Sequence, residues 1–399
     1  MALDLSTSIA LIRDLVGFPT VSRDPNRDLL LYVERYLASH GVTSDILWAP
    51  GGEKGNLWAT IGPANARGVI LSGHSDVVPV DGQAWSSDPF TLREADGKLY
   101  GRGTADMKGF LGIVLAAVPE MLRRPLRAPV HIAISYDEEL GCLGVRSLVE
   151  RLAAMPLKPA LCIVGEPTLM QVIIAHKGGR SYRVHLTGRP AHSSLAPHAV
   201  NAIEAGAELV LFLRDIARGW AAEGPFDGAF DVSHSTLSTG LIDGGTAINI
   251  VPEHCRVTFE FRHLASVDAE DVTRRIKAFA TETLLPAMRA IAPEADIVFE
   301  PLYEYPGLDI APEHPAVTFV KQLVGRNDHA KVAYGTEAGL FQGRAGVASV
   351  VCGPGSIGEA HKADEFLAIS ELEACQRMIA RLLDRLEKGE PLTMDAPDT

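Results

Sequence analysis

Short apolar runs alternate with amphipathic stretches up to about residue 175. Val69–Leu71, Val130–Tyr136 and Ala160–Val164 have strand length, and Val347–Cys352 repeats the pattern much later. Between them lies helical spacing. Residues 6–16 put Ile9, Ile12, Leu15 and Val16 on one face, with Ser6 or Thr7 as N-cap. A second helix runs from a capping Asn26 to His40, with Gly41 just past its end. Strands alternating with helices predict an α/β domain, a mostly parallel sheet with helices on both faces.

The pattern changes after His176-Lys177-Gly178-Gly179, which reads as a hinge because paired glycines absorb large φ and ψ changes. Ser181–Leu186 alternates like a half-exposed strand, and Asn201–Arg218 is an amphipathic helix. Gly240–Val251 and Arg256–Arg262 read as antiparallel strands, Val267–Leu284 as a helix capped by Ser266 or Asp268, and Ile297–Tyr305 as a last strand. Strand, helix, two strands, helix, strand is the split βαβ order of an α+β, ferredoxin-like module. The first pattern resumes near His314 and runs to about Lys388, and Gly389–Thr399 reads as a frayed polar tail. The expected organisation is one α/β domain over residues 1–177 and 307–399, interrupted by an inserted module over residues 178–306.

Composition narrows the setting. The 399 residues are 47% apolar, enough for a large core. A net charge of −13 argues against nucleic acid or an anionic membrane surface as partner. Five widely spaced cysteines without Cys-x-x-Cys fit free thiols in a reducing compartment. No signal peptide is visible and no apolar run reaches the ~18 residues of a membrane span, so a cytoplasmic location is expected.

Five potential metal ligands interrupt this apolar pattern: His74, Asp106, Glu139, Glu166 and His361. His74, Glu139, Glu166 and His361 follow apolar runs, and Asp106 sits in the Gly-rich stretch Gly101–Gly109 before a helix. In open α/β sheets ligands bind beyond the carboxyl ends of the strands. Two imidazoles and three carboxylates suit a pair of divalent ions. Asp76 is close enough to His74 to orient its ring. Asp137-Glu138-Glu139 needs a nearby positive charge, and in an extended chain its neighbours point apart, one to a metal and one to a proton. Each segment alone has a plainer reading: Asp106 as a helix cap, the acidic triplet as a solvated turn, Arg262 as a surface ion pair.

Gly73-His74-Ser75-Asp76, Gly101–Gly109, Asp137-Glu138-Glu139, Gly165-Glu166-Pro167, Arg189–Ser194 and Gly353–His361 together resemble the dinuclear zinc deacylases and peptidases. That family includes acetylornithine deacetylase, succinyl-diaminopimelate desuccinylase, aminoacylase and bacterial carboxypeptidases. The resemblance implies a hydrolase with two divalent ions, zinc first and cobalt as the alternative. Asp106 would bridge both ions, His74 and Glu166 would hold one, and Glu139 and His361 the other. Glu138 would be the general acid/base, with Asp76 orienting His74. The insertion would be a lid and dimer contact, giving a homodimer in which His192 reaches the partner's site, and Asn249 and Arg262 would touch substrate. Gly335-Thr336-Glu337-Ala338 and Gly353–His361 resemble the acetylornithine deacetylase branch, where Glu337 would meet the substrate's side-chain ammonium.

Overall fold

The structure is a computed structural model that describes residues 3–390 and Leu392. Most of the tail expected after Gly389 lies outside the described residues. The chain forms two compact units. The first comprises residues 3–176, Leu308–Val332 and residues 336–390, and the second Lys177–Gly307 with Ala333–Gly335.

The first unit is built on a nine-stranded sheet. Its order is Ser44–Trp48, Gly55–Ile61, Val130–Ser135, Val69–His74, Leu161–Pro167, Ala348–Gly353, Val172–His176 and Leu308–Asp309, with His329–Val332 pairing beside Val172–His176. The four strands from Val130–Ser135 to Ala348–Gly353 are parallel to one another. Val130–Ser135, Val69–His74 and Leu161–Pro167 are buried at every position, so both faces of the sheet are covered. One continuous core joins Val69, Leu71, Ile132 and Ile163 to Leu15, Leu30, Phe110, Val320 and Leu382 of the helices.

Helix starts depart from expectation. Asp4, rather than Ser6 or Thr7, caps Leu5–Val16, its carboxylate accepting from the N–H groups of Ser6 at 3.3 Å and Thr7 at 3.2 Å. Asn26 stands at the start of Arg27–Ser39 without capping it. Its amide instead exchanges two 3.0 Å bonds with the Gly55 backbone and donates to Ser75 Oγ at 2.9 Å. The buried amide thus clamps the helix entry to the turn after His74.

The second unit is an antiparallel sheet ordered Thr236–Gly244, His254–His263, Gly178–Thr187 and Asp296–Tyr305. Its first strand in sequence lies inside, next to the last, as the split βαβ order requires. Tyr182, Val184, Leu186, Val257, Phe259 and Phe261 pack with Leu209, Leu213 and Ile276 of Ala202–Glu223 and Ala269–Ala278. The strand expected over Gly240–Val251 ends at Gly244, because Gly245 takes φ +75° and turns the chain, so Asn249 lies on a loop. The helix expected over Val267–Leu284 starts at Ala269 behind Asp268 and passes into a wide π turn, Phe279–Leu284. Gly178 and Gly179 lie within a regular strand and have no positive φ.

Candidate metal centre

The sheet brings the five expected ligands to one place. His74 ends its strand, Glu166 lies near the end of the neighbouring parallel strand, and Glu139 sits in the turn after Val130–Ser135. His361 comes from the loop after Ala348–Gly353 and takes φ +63°. Asp106 stands between the histidines. Its Oδ1 lies 2.9 Å from His74 Nε2, and its Oδ2 3.2 Å from His361 Nε2. Glu139 Oε1 is 3.1 Å from His361 Nε2, and Glu166 Oε1 is 3.8 Å from His74 Nε2. Asp106 does not cap the following helix, Lys108–Ala116, whose cap position is Met107.

The acidic triplet is a turn rather than extended chain, with Asp137 at φ +50°. The positive charge it needs is Lys54, whose Nζ lies 2.6 Å from Asp137 Oδ1. Asp76 has more to do than expected. His74 Nδ1 lies 2.8 Å from the Asp76 carbonyl oxygen, nearer than the 3.5 Å to its carboxylate. That carboxylate accepts from Ser22 Oγ at 2.8 Å and from the backbone N–H groups of Glu138 at 3.1 Å and Glu139 at 3.3 Å. Through its carbonyl and its carboxylate, one residue therefore orders both the His74 strand end and the acidic turn.

Electrostatics follow from burial. Desolvation pushes the carboxyls of Glu138 and Glu166 well above the usual range, and neighbouring carboxylates add to this. Burial also raises Glu139. Burial opposes charge on His74, but hydrogen bonds to Asp106 and Asp76 overcome it and raise the imidazole well above its ordinary value. Hydrogen bonds to Asp106 and Glu139 lift His361 to about 10. Such a crowd of acids calls for positive charge at its centre.

The donor set fits divalent cations. Oxygen and nitrogen atoms of His74, Asp106 and Glu139 lie within 4.8 Å of one another, as do those of His74, Glu138 and Glu166. Glu166 Oε1 is buried with no hydrogen-bond partner. Glu138, which enters the second set, also accepts from the Cys142 thiol at 3.4 Å.

Sequence reasoning missed Glu365. Buried, it accepts from Arg102 Nη1 at 2.7 Å and from the backbone N–H groups of Gly103, Ala105 and Asp106 at 2.9–3.0 Å. It pins the Gly-rich loop to the segment carrying His361. A clue was present: an acid four residues after His361, with Arg102 as an unclaimed cation. Glu337 is buried in the same unit, and desolvation pushes its carboxyl up to about 7. In the second unit His192 is exposed, its Nδ1 accepting from the Ser194 N–H at 3.2 Å. Asn249 offers its carbonyl to Ser193 N–H at 2.9 Å, and Arg262 is half-buried on the strand His254–His263.

Among the described residues no helix is long and apolar enough to cross a membrane. The acetylornithine deacetylase of Proteus mirabilis is 34% identical over 394 residues, covering 96% of this chain and 98% of that protein. An M20 family metallo-carboxypeptidase from Sulfolobus solfataricus shares the fold with a TM-score of 0.75 at 18% identity, over 96% of this chain and 99% of that one. A dinuclear metal binding peptidase from Bacillus subtilis does so with a TM-score of 0.65 at 15% identity, over 95% and 97%. The sequence profile described as Peptidase family M20/M25/M40 matches residues 70–385, a span that holds every one of the converging ligands. The gathered imidazoles and carboxylates are thus where such enzymes are matched, and the chain belongs to Peptidase family M20/M25/M40, as a metal-dependent amidohydrolase.

Proposed function

We propose that the chain hydrolyses the acyl amide of an N-acetyl α-amino acid, N2-acetyl-L-ornithine first among them, to acetate and the free amino acid. The observation that carries this reading is Asp106, whose two oxygens lie against His74 and His361. Similarity to acetylornithine deacetylases over nearly the whole chain supports the choice of substrate.

In this reading His74, Asp106 and Glu166 would hold one divalent ion, and Asp106, Glu139 and His361 would hold the other, with zinc preferred to cobalt. Bound ions of this kind supply Lewis acidity and draw the pKa of water from 15.7 towards ~7. Glu138 accepts the proton of the attacking water and delivers it to the leaving amine. Its burial favours the protonated state that the second transfer needs. Asp76 holds the backbone of this turn and the ring of His74. His192, reaching the site of the neighbouring copy in a homodimer, stabilises the oxyanion of the tetrahedral intermediate, a role typically worth roughly 3–4 kcal/mol. Arg262 receives the substrate carboxylate, Asn249 is a further contact to substrate, and Glu337 meets the side-chain ammonium.

Dimerisation through the second unit is part of the proposal. Among the described residues its edge strand Thr236–Gly244 pairs only with His254–His263. Leu241, Ile242, Ile248 and Leu195 are exposed on the same unit.

The deciding experiment is metal analysis of the purified protein with a substrate panel: N-acetylornithine, N-succinyl-diaminopimelate and simple dipeptides. Two metal equivalents and fastest turnover of N-acetylornithine are expected. A metal-replete protein that cleaves dipeptides and leaves every N-acyl amino acid intact would make it a dipeptidase.

A further inference from the structure

The sheet of the second unit turns one face to its helices and sets a polar device on the other. Neighbours along a strand point to opposite faces. Tyr182, Phe259 and Phe261 belong to the apolar core. On the opposite face, residues in register form rows across three strands. Arg262, Gly179 and Tyr305 make one row, and Glu260, Ser181 and Tyr303 the next.

The middle position of each row is small, so its flanking side chains meet across it. Gly179 has no side chain, and a methyl group there would stand 2.5 Å from the Tyr305 ring. Across that gap Arg262 Nη1 donates to the Tyr305 hydroxyl at 3.2 Å. In the next row the Tyr303 hydroxyl donates to Glu260 across Ser181. Glu260 Oε1 in turn lies 3.5 Å from Arg262 Nε. The Tyr303 and Tyr305 rings stack, with centroids 5.8 Å apart and planes 14° from parallel. Gly335 leaves room for the same Tyr305 ring, which a methyl group there would overlap.

The guanidinium is thus braced through Nε and Nη1, and among the described residues its Nη2 has no hydrogen-bond partner. The side chain keeps 33% of its surface exposed. A braced guanidinium presents its remaining N–H groups in one plane, the arrangement that captures a carboxylate through two parallel bonds.

We propose that Tyr305 is the positioning residue for Arg262, fixing the rotation of the guanidinium so that it selects substrates with a free α-carboxylate. This rests on the reading of Arg262 as the carboxylate receptor. Glycine at 179 and 335 is then a requirement of specificity, because any side chain there displaces the Tyr305 ring.

The test is Tyr305→Phe, which removes only the hydroxyl. Kinetics are measured on the metal-loaded protein with its best N-acetyl amino acid and with the α-carboxamide of the same compound. KM for the acid should rise roughly tenfold, with kcat within about twofold, and KM for the carboxamide should stay put. Gly335→Ala, which pushes on the ring from outside the row, should give the same acid-selective pattern and serves if Tyr305→Phe does not fold. An equal rise for acid and carboxamide would mean a merely structural tyrosine and overturn the inference. If Arg262→Lys raises KM for the acid while Tyr305→Phe does nothing, the inference fails and the receptor reading stands. If neither substitution changes KM, both fall. A wild-type protein inert towards every N-acyl amino acid removes the functional reading, and this inference with it, before any variant is made.

Discussion

Glu138 and Glu139 are adjacent in sequence and differ in surroundings. Glu139 faces His361, whereas Glu138 is approached by the Cys142 thiol and carries a strongly raised pKa. Glu138→Ala is expected to cut kcat by at least about a thousandfold while metal content stays at the wild-type level. Glu139→Ala should lose one equivalent of metal. Near-normal turnover in Glu138→Ala would place the proton carrier elsewhere. Glu365 calls for a separate measurement, because it touches Asp106 only through the backbone. Replacing it with Gln keeps the shape and removes the charge that three N–H groups and Arg102 share. Metal affinity by titration calorimetry should fall about 10–100-fold, and an unchanged affinity would reduce Glu365 to a loop staple. The proposed metal ligands were legible in the sequence because four of them follow apolar runs with side chains that have no use there, and Asp106 stands in a Gly-rich stretch before a helix. Glu365 was not, because its partners are mostly backbone N–H groups, which no sequence displays.

At the scale of elements, the strands were legible where burial imposes continuous apolar runs, as in Val130–Ser135. The errors fall where local geometry overrides periodicity. Gly245 ends a strand that the pattern Ala247–Val251 would have continued, and Asp4 caps a helix two residues before the first hydroxyl. The small-residue rows of the second unit were invisible, since they depend on which strands become neighbours. One strand also carries a pH response. His131 stacks on Trp58 at 4.8 Å, its Nδ1 lies 3.0 Å from Thr60 Oγ1, and burial pulls its imidazole down to about 4. Between pH ~6.5 and that value the unfolded chain takes up a proton that the folded chain refuses. The His131 contribution is therefore complete above pH ~6.5 and is lost as pH falls towards 4. His131→Phe keeps the stacking and should flatten this part of the stability curve by up to about 3 kcal/mol, measured by denaturant unfolding at pH 7 and pH 4. A variant with the wild-type slope would assign the acid sensitivity to other groups.

For the whole molecule, the expectation of an interrupted domain came from two kinds of periodicity nested in one chain. Ala333–Gly335, grouped with the second unit, was not legible, since three residues carry no period. Association belongs to this scale. Leu241 and Ile242 keep 66% and 52% of their surface exposed on an edge strand. Leu241→Lys with Ile242→Lys should convert a dimer into monomers in sedimentation velocity, with activity falling in parallel if His192 serves the neighbouring copy. A wild-type protein that sediments as a monomer at working concentration would end that reading.

The strand Ala348–Gly353 lies inside the nine-stranded sheet, between Leu161–Pro167 and Val172–His176, yet it is made long after both. During synthesis the inserted unit has all its strands once residue 307 has emerged, while the flanking sheet still has a gap through its middle. The second unit can therefore fold while the first waits, reversing the usual order in which amino-terminal domains mature first. A ribosome stalled near residue 340 would hold an insert complete in its strands beside an open sheet with His361 still unmade, a nascent chain unable to gather all five proposed ligands.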